Sequence, residues 1–115
     1  MTPTYTIKHV GINHDTLEET WATAETLERL FHQERGKEGP LGVFSGSIFE
    51  VMKPGGRGTR GHIALQTEDV ELAMEDLASM GVTFAEETIR RNGEGKICFV
   101  YLEQEFSGFA IHLTL

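Results

Sequence analysis

Two spacings of apolar residues alternate along the chain, one of period two and one helical, and each switch between them marks an element. Tyr5 to Asn13 (YTIKHVGIN) sets Val10 and Ile12 on one side and Ile7 and His9 on the other, and its β-branched content predicts a strand. Asp15 followed by Glu18 has the spacing of an N-cap with its capping box. Leu17, Trp21, Ala24, Leu27 and Phe31 then recur every three or four residues, predicting a long amphipathic helix that runs toward Gly36. Beyond the polar stretch 34–40, Leu41 to Phe44 and Ser47 to Met52 predict a hairpin around Ser45-Gly46.

Lys53 to Gly61 (KPGGRGTRG) contains no hydrophobe, and five of its nine residues are glycine or proline, so it predicts a connector. The pattern then restarts. Gly61 to Thr67 predicts a strand, and Val70, Ala73, Met74, Leu77 and Met80 form a helical stripe that Gly81 ends. Val82 to Ile89, Lys96 to Leu102 and Phe109 to Leu115 predict three further strands, the first two separated by a turn at Asn92-Gly93. The second half is β-α-β-β-β, and the first half follows the same order with one strand weak or missing.

The two halves also align residue on residue. KHVGIN (8–13) matches GHIALQ (61–66), and GSIFEVM (46–52) matches GFAIHLT (108–114), which places His9 on His62 and Glu50 on His112. Strand alternation then assigns Val10, Ile12, Phe49, Val51, Ile63, Leu65, Phe109, Ile111 and Leu113 to a helix-covered face. His9, Glu50, His62 and His112 fall on the opposite face. Three imidazoles and a carboxylate on one concave face are the donor types favoured by Zn, Ni, Co, Mn or Fe(II), and a divalent transition metal is the expected cofactor. A hydrogen-bonded polar network is the competing reading. The repeat-equivalent positions favour the metal, because a buried, unpaired carboxylate is costly.

With 115 residues the chain predicts one domain with its own core (module one about 5–53, connector 54–60, module two about 61–115). It is too short for a Schiff-base aldolase barrel, which needs about 200 residues or more. The formal net charge of −8 and the lack of a basic stripe argue against nucleic acid. Apolar runs fall far short of the ~20 residues that span a bilayer, and Met1 leads straight into a strand-like segment, so a cytoplasmic protein without membrane contact is expected. The single cysteine, Cys98, reads as a small buried hydrophobe, and His14 and His32 as ordinary residues at the helix. Arg57 and Arg60 in the connector could clamp a substrate carboxylate or phosphate; the alternative is that they only keep the linker soluble.

The strand-borne HVGIN and GHIAL, the closing GFAIHL and the paired β-α-β-β-β order resemble the vicinal oxygen chelate superfamily. That group includes glyoxalase I, methylmalonyl-CoA epimerase, fosfomycin-resistance proteins, extradiol dioxygenases and bleomycin-binding proteins. The resemblance covers nearly the whole chain. It implies an α+β fold in which two βαβββ modules curl a mixed sheet around a cup, helices outside, with metal ligands from the first and last strand of each module. The matching positions are His9, Glu50, His62 and His112; family members more often carry Glu where this chain has His112. GINHD, IFEVMKPGGRGTRGHIA and GFAIHL are also similar to small domains of the superfamily that occur alone or appended to 2-keto-3-deoxy-6-phosphogluconate aldolases. The aldolase chemistry itself does not fit, since it needs a desolvated lysine, and Lys8, Lys37, Lys53 and Lys96 fall where exposed faces or turns are expected.

What the resemblance implies is a metal with open positions that binds adjacent oxygens of a small substrate, with Glu50 the one carboxylate able to take a proton. The leading expectation is a glyoxalase- or epimerase-like isomerase or lyase on a small oxygenated metabolite. The alternative is a non-catalytic ligand-binding or regulatory domain; an extradiol-type dioxygenase fits less well, because of the third imidazole. Phe99 and Tyr101 belong either to the cup wall or to the core, since strand register is open. A homodimer is expected, because the strand-poor first half leaves a sheet edge to cover.

Overall fold

The computed structural model describes residues 2–115. The first half comprises β1 (Thr6–Ile12), α1 (Leu17–Phe31), β2 (Gly42–Ser45) and β3 (Phe49–Met52). The second comprises β4 (Gly61–Gln66), α2 (Val70–Ser79), β5 (Phe84–Arg91), β6 (Ile97–Phe106) and β7 (Phe109–Thr114). All seven strands form one open mixed sheet in the order β2-β3-β1-β4-β7-β6-β5. Each half pairs its first strand with its last in parallel, and the halves join through the antiparallel pair β1–β4.

Register makes the internal repeat visible in space. Gly11 pairs with Glu50 in the first half as Ala64 pairs with His112 in the second, and across the seam His9 faces Ala64 as Gly11 faces His62. Each half owns a separate core on the helical side of the sheet. Ala24 and Leu27 of α1 pack on Val43 and Val51, with Trp21 and Phe49 around them. Val70 and Ala73 of α2 pack on Val100, Leu102 and Leu113, joined by Leu65 and Ile111. Val10, Ile12 and Ile63, expected on the same face, are half-buried where that face crosses the seam between the two cores. The molecule is accordingly long, 42 × 24 × 23 Å.

Several local expectations shift. The N-cap of α1 is Thr16 rather than Asp15. Its Oγ1 accepts from the Glu19 N–H at 3.1 Å, so the capping box is Thr16/Glu19 and lies one residue later than Asp15/Glu18. The helix stops at Phe31 instead of running toward Gly36, because His32 adopts the left-handed conformation (φ 57°) and its N–H caps the last turn. Ile7 and His9 do not share a face. A bulge between them pairs Ile7 with Leu65 and His9 with Ala64, which breaks strict alternation. Cys98 is half-buried rather than interior. None of the helices is long and apolar enough to cross a membrane.

Candidate metal centre

Four strands deliver the four expected donors to one place. His9 (β1) and His62 (β4) meet with Nε2 atoms 3.2 Å apart, and Glu50 (β3) sets Oε1 3.0 Å from His62 Nε2 and 3.5 Å from His9 Nε2. His112 (β7) closes the group, its ring centroid 5.5 Å from those of His9 and His62. Each of the three histidines offers a nitrogen within 4.8 Å of the others'. His14 takes no part: its Nδ1 donates to the Met52 carbonyl at 2.9 Å, leaving Nε2 to accept from the Thr23 hydroxyl at 2.7 Å.

The floor of the cup explains why the rings can converge. Gly11 lies directly across from His62, and a Cβ there would sit 2.1 Å from the His62 ring. Ala64 and Ala110, both fully buried, are the other small neighbours of the imidazoles along β4 and β7. His62 and His112 are 3% exposed. The β6 side of the cup is aromatic: Phe99 stacks on His112 at 4.3 Å and Tyr101 meets the same ring edge-on at 5.0 Å; from the β2 side Phe44 meets His9 edge-on at 5.2 Å. Phe99 and Tyr101 thus belong to the cup wall, with Val100 and Leu102 turned to the core. The cup, open on one side, holds about 280 Å³. A larger groove of about 490 Å³ beside α2, between Asp69 and Ile97, has no histidine on its walls.

Burial and crowding set the charge state. Burial first, then the neighbouring imidazoles, pushes His112 down to about 4, and burial likewise lowers His9 against the opposing pull of Glu50. The His62 hydrogen bond holds the Glu50 carboxyl below its usual range, outweighing burial. At neutral pH His9 and His112 therefore keep ring lone pairs available beside an ionised carboxylate. A divalent ion fits this set on geometry as well. Donors about 2.1 Å from a common ion lie roughly 3.0 Å apart at 90° and 3.4 Å apart at 109°. The observed separations of 3.0, 3.2 and 3.5 Å span that range. His62 Nδ1 and His112 Nδ1 are buried without a hydrogen-bond partner.

The two connector arginines part company. Arg57 lies 4.7 Å above the ring of Tyr101, a residue of the cup wall, without lining the cup itself. Arg60 runs its stem over Gly108 in the β6–β7 turn and stays out of the cup lining. Arg90, which strand alternation does not single out, lines the cup and covers Phe99 at 4.8 Å. The signal for it is hidden in a register shift of β5, which pairs Arg90 with Phe99 while Ala85 pairs with Tyr101.

No family model matches the sequence, and no curated protein matches it. Solved structures do. A hypothetical protein of Bacillus halodurans C-125 superposes with a TM-score of 0.64 at 15% identity, over 96% of this chain and 94% of its own. A variant methylmalonyl-CoA epimerase of Streptomyces coelicolor, in complex with 2-nitronate-propionyl-CoA, gives 0.56 at 20% identity over 94% and 92%. A methylmalonyl-CoA epimerase in complex with methylmalonyl-CoA and NH4+ gives 0.54 at 20% over 93% and 91%. This chain therefore has the fold of methylmalonyl-CoA epimerase, along nearly its whole length.

Proposed function

We propose that the chain is a metal-dependent isomerase, epimerase or lyase of the vicinal oxygen chelate type, acting on a small oxygenated metabolite. His9, Glu50, His62 and His112 would hold the ion, one of Zn, Ni, Co, Mn or Fe. The observation that carries this reading is the meeting of those four side chains, from four different strands: His9, Glu50 and His62 at the separations expected around one ion, and His112 with a nitrogen within 4.8 Å of the other two imidazoles. The fold shared with methylmalonyl-CoA epimerases supports it. When bound, the ion would supply Lewis-acid polarisation of adjacent substrate oxygens.

Glu50 is the base. Its carboxylate, let go by the ion, takes the proton from a carbon next to a carbonyl, and the C–H electron pair passes into the carbonyl as an enolate. The same carboxyl returns the proton on the face it came from, to the neighbouring carbon; an epimerisation would take its second proton from a separate donor on the opposite face. Because His62 holds the carboxyl below its usual range, Glu50 is ionised but weakly basic, so the C–H bond it attacks must be strongly acidified. Tyr101, its hydroxyl pushed up to about 12 chiefly by burial, stays protonated and serves as a donor on the same wall. Lys8, Lys37 and Lys96 are exposed and Lys53 pairs with Glu38, so no desolvated lysine stands ready for Schiff-base chemistry.

The test is elemental analysis of the protein as purified, followed by proton exchange in D2O on a panel of small 2-oxo and 2-hydroxy acids. Stoichiometric transition metal is expected, with exchange that Glu50→Gln abolishes while metal stays bound. Metal-free wild type, or exchange undiminished in the variant, would overturn the reading. One observation favours a second one: the chain is only 9% aromatic, yet Phe44, Phe99 and Tyr101 stand around this one cup. Such a wall suits a domain that holds a small ligand without chemistry, as a regulatory companion of an enzyme such as a 2-keto-3-deoxy-6-phosphogluconate aldolase. Ligand binding without proton exchange would select it.

A further inference from the structure

We propose that Arg57 and Arg90 together form a clamp for the oxyanion end, carboxylate or phosphate, of a compact substrate whose other end enters the cup. The proposal rests on the cup being a ligand site and names the class of ligand.

Both guanidinium groups lie on aromatic faces of the same wall. Arg57 covers Tyr101 at 4.7 Å, Arg90 covers Phe99 at 4.8 Å, and those two rings, 5.5 Å apart, both pack on His112. A guanidinium lying over a ring spends its face on the π-system and leaves its in-plane N–H edge free, which is the edge that binds an oxyanion bidentately. No acidic side chain uses that edge. Among the described residues Arg35 pairs with Glu28 and Lys53 with Glu38, whereas neither Arg57 nor Arg90 has a carboxylate partner. In a chain of net charge −8, two unneutralised cations beside one cup, with Lys8 also on its lining, make a local positive field.

Each arginine is delivered by a built device. The glycine-rich connector is pinned by Asn13, whose Nδ2 faces the carbonyls of Gly56, Arg57 and Gly58 at 3.2, 3.2 and 2.8 Å. Gly56 has to be glycine there, since a Cβ would sit 2.3 Å from Asn13 Oδ1. On β5 the register shift is organised by Thr88. Its hydroxyl donates to the Ala85 carbonyl at 2.6 Å and accepts from the Tyr101 N–H at 2.9 Å, and the irregular strand then sets Arg90 opposite Phe99. The cup volume of about 280 Å³ lies just below the ~300–1,000 Å³ of ordinary small-molecule sites, so the ligand it takes is short.

The experiment measures binding of three probes, inorganic phosphate, succinate and neutral glycerol, to the protein as purified. Wild type is compared with Arg57→Gln, Arg90→Gln and the double variant, with metal content recorded for every sample. Both arginines are exposed, so the variants should melt like wild type. An anion should bind and glycerol should not, and each substitution should weaken the anion roughly 10-fold or more, as expected for losing a charged hydrogen-bond donor. Arg57→Lys should fall between, because it keeps the charge and loses the planar fork. Whether phosphate or succinate binds tighter identifies the headgroup. Anion affinity unchanged in the double variant, or glycerol binding as tightly, overturns the clamp. If metal is retained while anions ignore the arginines, the clamp falls and the metal reading stands. If arginine-dependent binding occurs in metal-free wild type, the clamp stands and the metal reading falls.

Discussion

The two halves answer the same pattern with unequal means. The first builds three strands, two of them only four residues long, while the second builds four strands of six to ten residues. The donors follow suit. His62 and His112 are 3% exposed, whereas the side chains of His9 and Glu50 are 15% and 19% exposed. The second half therefore supplies the buried base of the cup and its arginine-covered wall, and the first supplies the carboxylate and a more open side. A duplicated frame has been kept where the donors sit and loosened where they do not.

The largest effect should come from cutting a donor in each half. His62→Ala and His9→Ala should both lower metal affinity by about 100-fold or more, given that losing even an outer partner of a ligand costs ~10–100-fold. Elemental analysis after dialysis measures it. Wild-type metal content in His9→Ala alone would show that the second half works without the first.

Most of this arrangement was legible before coordinates. The repeat alignment put His9 on His62 and Glu50 on His112, and the observed pairs Gly11–Glu50 and Ala64–His112 are the same correspondence in space. Alternation carried that far because both faces of the central strands are specified, one by cores and one by the cup. It failed where the backbone departs from period two. The bulge at Ile7–His9 and the register shift before Arg90 leave no trace in hydrophobicity, so strict alternation misplaces Ile7 and does not single out Arg90. The cap of α1 slipped by one residue because Asp15 and Thr16 both have capping side chains followed three residues later by a glutamate.

Next in size is the seam. Gly11 and Ala64 are repeat-equivalent and each lies across from an imidazole, but the first half has no room even for a Cβ there, since one at Gly11 would sit 2.1 Å from the His62 ring. Gly11→Ala should overpack the site by about 1–3 kcal/mol, push the His62 ring aside and reduce metal content. Ala64→Gly should cost about 0.5–1 kcal/mol and leave the metal in place. Equal behaviour of the two variants would mean that His62 has room to relocate.

The helix caps test whether the halves differ in stability as they do in strand number. Thr16 caps α1 and Asp69 caps α2, each accepting from an N–H three residues on. Either residue replaced by alanine should cost about 1 kcal/mol, read as a fall in Tm of roughly 4 °C. A fall confined to one variant would locate the weaker half.

The smallest effect concerns how the first half manages without its missing strand. Residues 34–36 run along the free edge of β2: Arg35 bridges to Ser45, the Gly36 N–H donates to the Phe44 carbonyl at 2.8 Å, and the Gly46 N–H to the Glu34 carbonyl at 2.8 Å. Glu28 of α1 fastens this cover by accepting from the Arg35 side chain at 2.7 and 3.1 Å and from its backbone N–H at 3.1 Å. Those hydrogen bonds hold the Glu28 carboxyl below its ordinary value of 4.5. A carboxylate lowered in the folded state contributes stability that is present above its unfolded pKa and is lost as pH falls through its folded pKa. Hydrogen-exchange protection at Gly36 and Gly46 should therefore be full above about pH 5 and decline in acid. Glu28→Gln should show the reduced protection at every pH, by a few-fold at most for so exposed a pair. Identical protection in the two proteins would show that the backbone bonds alone secure the edge. The consequence reaches the cup through Phe44, whose carbonyl accepts from Gly36 in this cover and whose ring sits against His9 at 5.2 Å, so loosening the cover should be felt first at the first half's own histidine.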